Sequence, residues 1–228
     1  MKIFSSNTGE LLDYTNTMYP SFAGIYNVKN DHFQDQGFTY TTESSTTYGY
    51  VFSGEVLLPN NMRAFEGQYF CCWTWGSEQI QYTGKVALIT RIGFKGQDMV
   101  GGPLEKSGRL VYINGCSDSL LVYPPRQGDP SLNALFFPPN INQSYHIHPS
   151  LRLGIVVSGS GVACIKDDRV NETEIPLVPE TLFCIEEREL HRFKTNDDSM
   201  VVIAFHPDGD WGPTDHQHTM INRTYVTT

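Results

Sequence analysis

A chain of 228 residues with 39 % apolar and 12 % aromatic side chains can bury a real core, as one large domain or two small ones, and is not a disordered polymer. Sixteen basic against twenty-five acidic residues leave a net charge of −9, a field that repels phosphate backbones and anionic membranes, so neither nucleic acid nor a membrane is expected as a partner. No apolar run approaches the roughly 20 residues that span a bilayer, and the start, Met-Lys-Ile-Phe-Ser-Ser-Asn, lacks a signal core, so a cytoplasmic location is expected.

Residues 1–45 are rich in Ser, Thr, Asn and Tyr and nearly aperiodic. They predict an arm wrapped over a core, with a short helix within Ser5 to Tyr14 and a strand at Thr39 to Thr42. Thr46 to Phe52 opens a first body of strands covering 46–100. Gly93 to Ser107, with four glycines and Pro103, reads as the connection to a second body, 101–207. There, Arg109 to Asn114, Ser119 to Tyr123 and Leu132 to Phe137 predict strands, and Tyr112, Tyr123 and Phe137 are candidates to line an interior. Helix signals are nearly absent, and short strands between Pro/Gly turns predict an all-β antiparallel barrel.

The most informative stretch follows. In extended chain, alternate side chains share a face, so His146 and His148 project together while Tyr145 and Ile147 point away. Pro149 should end that strand, and Leu153 to Val157 forms the next. Two imidazoles on a stiff segment make two corners of a metal site, or else are an alternating pair of no consequence. Downstream, Thr181 to Ile185 reads as a strand, Glu186 to Glu189 as a charged turn, and His191 as the entry to a further strand.

The two histidine segments together resemble the cupin superfamily, over roughly Gly108 to Pro207. Its first motif is Gly, five residues, His-x-His, three or four residues, Glu, six residues, Gly. Here His146-x-His148 and Gly159 keep that spacing, but Asn140 stands in place of the opening Gly and Arg152 in place of the metal-binding Glu. His191 matches the histidine of the second motif, although Glu180-Thr181 replaces its usual Gly-Asp start. The resemblance implies a double-stranded β-barrel of the jelly-roll type and one divalent metal held by His146, His148 and His191. Fe(II) is the first candidate, with Zn, Mn, Ni and Cu as alternatives.

Without the Glu, the site looks like the three-His branch of the family, which includes thiol dioxygenases and a diketone dioxygenase. Three neutral ligands leave the metal its full charge and open positions, favouring a small anionic or chelating substrate. Arg152, as the candidate catalytic residue, either forks onto a substrate carboxylate or points to solvent or a surface acid. A dioxygenase is the leading expectation. The family's isomerases, epimerases and lyases are the second, and a ligand-binding cupin without turnover is the third.

Three landmarks recur in order along the chain. Tyr48-Gly-Tyr-Val-Phe-Ser-Gly54 parallels Leu153-Gly-Ile-Val-Val-Ser-Gly159, Tyr69-Phe70-Cys71 parallels Leu182-Phe183-Cys184, and the strand from Lys85 parallels that from Met200. They suggest two tandem copies of the barrel; coincidence between short strands is the competing explanation. Sliding back, Thr41 and Glu43 fall opposite His146 and His148, and Trp75 to Gln79 opposite His191, so the first copy should be metal-free. The protein would then be a monomer or a homodimer.

The tail, 208–228, is turn-rich and reads as a solvated loop closing over the mouth with Trp211. Its His216 and His218 repeat the His-x-His spacing without a stiff strand to hold them. The five cysteines, 71, 72, 116, 164 and 184, lack metal-site spacing and sit in apolar runs, so they are expected to be reduced and buried. Cys164 or Cys184 could instead face the metal cavity.

Overall fold

The computed structural model describes residues 1–5, 12–28, 34–35, 44–76, 78–167 and 171–227. Apart from one short 3-10 turn at Ile113–Gly115, every regular element among them is a strand. None of their helices is long and apolar enough to cross a membrane.

Two large antiparallel sheets carry the architecture. The first runs Met99–Gly101, Tyr69–Thr74, Ser45–Ser53, Gly84–Ile92, Ser21–Val28, Leu12–Tyr14. The second runs Lys2–Ser5, Thr181–Ile185, Arg152–Gly159, Met200–His206, Ser131–Phe137, Ser117–Val122, Leu110–Val111. Each is completed by a smaller sheet: Gln34–Asp35, Gln81–Tyr82, Glu55–Leu57 and Arg63–Phe65 in the first half, Asn171–Leu177, Gly161–Asp167 and His191–Lys194 in the second. The two halves therefore repeat one strand order.

Pairing fixes the correspondence residue by residue. Gly49 faces Phe70 and Leu88 in one half, as Gly154 faces Phe183 and Ala204 in the other. Both glycines are required by the same packing, because an added Cβ would meet the Phe70 ring at 2.3 Å or the Phe183 ring at 2.1 Å. The two large sheets bury their outer faces against each other: Leu12, Ala23, Tyr48, Cys71, Ala87 and Ile89 share one core with Leu132, Leu153, Leu182, Cys184, Ile203 and Phe205. Each half also has an inner core of its own.

Several expectations need correction. Ser5 and Leu12–Tyr14, at the two ends of the supposed helix, belong to strands, where partners in distant sheets outweigh weak local preference; residues 6–11 between them lie outside the described residues. The strand at Thr39 to Thr42, with Thr41 and Glu43, lies outside the described residues. Met99–Gly101, within the supposed connection, pairs with Tyr69–Thr74 and edges the first sheet. Arg109 to Asn114 is a strand only at Leu110–Val111, because Asn114 turns to a left-handed φ of 53°. Tyr123 is exposed rather than interior. Gln81–Tyr82, not Trp75 to Gln79, takes the topological place of His191, for it pairs with Gln34–Asp35 as His191 bridges to His146.

Candidate metal centre

His191 opens its strand at the wall of the second half and is completely buried. His146 and His148 lie on an extended segment that is no ladder strand. It meets the His191 strand through isolated bridges at Asn142–Lys194 and His146–His191. Alternation still holds: His146 and His148 line the cavity, Ile147 is exposed, and the Tyr145 ring lies against Lys166 and Arg192.

The three imidazoles converge. Ring centres stand 4.3 Å apart for His146–His191, 5.0 Å for His148–His191 and 5.2 Å for His146–His148, and one nitrogen from each falls within 4.8 Å of the others. Nδ1 of His146 meets the Ser144 carbonyl at 3.0 Å, and Nδ1 of His191 meets the Glu189 carbonyl at 2.8 Å. A carbonyl only accepts, so each Nδ1 carries the proton and each Nε2 keeps its lone pair. This fixes the tautomer that a metal needs. Glu189 thus supports His191 through its backbone rather than its carboxylate.

Nε2 of His191 is buried without a hydrogen-bond partner. Such an atom costs free energy unless something arrives to accept its lone pair. Burial first, then neighbouring positive groups, holds His148 and His191 down to about 3, so both rings are neutral and ready to ligate near pH 7. The donor set fits a divalent ion of the Fe, Zn, Ni or Cu type.

The cavity in front of the rings has about 530 Å³ of space, its open mouth included, walled by Phe137, Phe183, Phe193 and Ile185 with a few polar groups. Arg152 stands in that wall and is buried, tied to the Ser150 hydroxyl, to the Leu151 carbonyl at 2.9 Å and to Asp208 at 3.5 Å. Asp118 is also there, its carboxyl raised by burial against an opposing bond from Asn133. So is His206, a residue that reasoning from motifs passed over. Its signal was strand alternation: Val202, Ala204 and His206 share the face of Gly154 and Arg152.

Cys164 and Cys184 are buried outside this lining, as are the other cysteines, all of them free. Asp208 from the tail reaches Arg152, but Trp211 leans on Tyr123 at the surface, and His216 and His218 gather no third ligand among the described residues. The other cluster, Cys164 with Glu172 and Glu174, is occupied by Lys194 and Arg192.

No family model matches the sequence, and no curated protein matches it. Solved structures do match in fold. A cupin 2 conserved barrel domain protein from Leptotrichia buccalis aligns at TM-score 0.56 and 12 % identity, over 90 % of this chain and 95 % of that one. Oxalate decarboxylase from Bacillus subtilis, whose structure was studied for its Mn(II) centres, aligns at 0.52 and 8 %, over 93 % and 78 %. A salicylate 1,2-dioxygenase from Pseudoaminobacter salicylatoxidans, in complex with gentisate, aligns at 0.55 and 9 %, over 81 % and 68 %. With its strand order, its histidine triad and these neighbours together, the chain has the cupin fold.

Proposed function

We propose that this chain is a metal-dependent enzyme with one divalent ion, Fe(II) first, held by His146, His148 and His191, and that it acts as a dioxygenase on a small anionic or chelating metabolite. The first half then serves as a metal-free packing partner, in the manner of a bicupin. The observation that carries the reading is the buried, unpartnered Nε2 of His191 beside two further imidazoles. An Fe(II) held there would supply open coordination positions and one-electron chemistry toward dioxygen.

The chain's own residues do the rest. The Ser144 and Glu189 carbonyls hold two rings in register. Phe137, Phe183, Phe193 and Ile185 exclude water, which strengthens every charge interaction inside. Arg152 draws an anion into the cavity and orients it. The fold shared with the salicylate dioxygenase supports this assignment.

A second reading, a lyase or isomerase, is favoured by Asp118, a cavity carboxyl raised by burial and so able to give and take a proton. The fold shared with oxalate decarboxylase supports it too. Metal analysis of anaerobically prepared protein should find one ion per chain, lost in His148→Ala. Full metal content in that variant, or none in the native protein, overturns the proposal. Oxygen uptake with candidate acids separates dioxygenase from lyase.

A further inference from the structure

The repeated strand order supplies an internal control. From Gly49 and Gly154 the register runs outward two residues to Thr47 and Thr90 in the first half, and to Arg152 and His206 in the second. In the first half the two buried hydroxyls bond each other at 2.8 Å, so each has a partner. In the second half the same two places carry large basic side chains, both facing the cavity. Beside them, Ala204 stands where the first half has Leu88, and the missing side-chain volume is part of the open space.

Arg152 is only 9 % exposed, yet its bonds are one-sided. Nη1 takes the Ser150 and Leu151 groups and a long contact to Asp208, while Nε is buried with no partner. A buried guanidinium with one edge unused destabilises the fold unless a planar acceptor occupies it. Among the described residues lining the cavity Arg152 is the only Lys or Arg, and Asp118 shares that wall. One fixed positive charge near a carboxyl suits a monoanion and disfavours a phosphate dianion.

We propose that Arg152 and His206 form a carboxylate-recognition subsite, so that the ligand is a monocarboxylic acid whose flat apolar body lies against Phe137, Phe183 and Phe193. The inference deepens the proposed function and rests on it for the premise that this cavity receives the substrate. His206 is a specificity residue here, acting by touching the carboxylate.

The test uses chelator-treated full-length protein, with benzoate and its neutral isostere benzamide as probes in calorimetric titration. Native protein should bind benzoate roughly tenfold or more tighter than benzamide, as expected for a charge-assisted bond. The double variant R152T/H206T, which installs the pair that already folds in the first half, should bind both alike while taking up metal as the native protein does. Arg152→Gln is the second variant and should show the same loss. Equal affinities in native protein, or a benzoate preference that survives in either variant, overturns the subsite. Metal content reports separately: a benzoate preference in a protein that takes up no metal would sink the metal centre and leave the subsite standing.

Discussion

His146 and His191 face each other across one isolated bridge, trading backbone hydrogen bonds of 2.9 and 3.1 Å while their rings stand 4.3 Å apart. Each ring hooks its Nδ1 to the carbonyl two residues before it, so the same local contact is made on both sides of the bridge. The backbone, not a third side chain, sets where the lone pairs point. Adding Co(II) to metal-free protein should therefore raise the melting temperature, by about 2.7 kcal/mol of stability at a hundredfold excess over Kd. His191→Ala and His148→Ala should abolish that gain, whereas His216→Ala and His218→Ala should keep it. Melting curves with and without Co(II) decide the matter; an undiminished gain in His191→Ala would contradict the triad.

Acid should weaken the metal-free protein. Burial holds His191 down to about 3 in the folded chain against an ordinary 6.5, so between those values the unfolded chain binds the extra proton. Stability then rises with pH through that window and is lost as pH falls below 6.5, by at most about 1.4 kcal/mol per pH unit for this group. Carboxylates contribute in the same window, but a His191→Gln comparison subtracts them. Between pH 6.5 and 5.5 native protein should lose about 1 kcal/mol more than His191→Gln, read from denaturant melts. Parallel curves would show that the ring is protonated in the fold.

The paired glycines make a differential prediction. Gly49→Ala pushes a methyl into the Phe70 ring within a filled core, and should cost about 1–3 kcal/mol. Gly154→Ala makes the same collision with Phe183, but that ring borders the cavity and has space to swing into. It should cost less, and should shrink the cavity enough to weaken benzoate binding. Equal costs in thermal melts would mean that Phe183 is as confined as Phe70.

The sequence carried the histidines well, because a His-x-His pair before Pro149 and a single later His survive any error in strand boundaries. Two departures from the family pattern look like damage in sequence and are conformationally faithful in space. Asn140 and Glu180, which stand in for glycines, adopt φ of 60° and 68°, the left-handed region that glycine enters freely and Asn tolerates. Glu180 is further held by Lys85 at 2.6 Å. What stayed hidden was whatever depends on remote pairing. Lys2–Ser5 finds its partner in Thr181–Ile185, most of the chain away, and no local periodicity announces that. His206 was invisible for the same reason, since its facing follows from the register of Met200–His206 against Arg152–Gly159.

If the cavity exists because one strand position is small, then filling that position should close it. Ala204 pairs with Gly154 as Leu88 pairs with Gly49, and Leu88 is buried in the inner core of the first half. Ala204→Leu should thus fold, since its space is open cavity rather than packed side chain. It should gain up to about 1 kcal/mol from the added apolar burial. The reverse change, Leu88→Ala, hollows a filled core and should cost about 2–5 kcal/mol. Because the metal ligands sit on other segments, Ala204→Leu should keep full metal uptake while losing benzoate binding. Should it lose the metal as well, cavity and metal site would be one mechanical unit; should it keep benzoate, the carboxylate would have to enter elsewhere. Melting curves, metal analysis and the same titration distinguish these results in one variant.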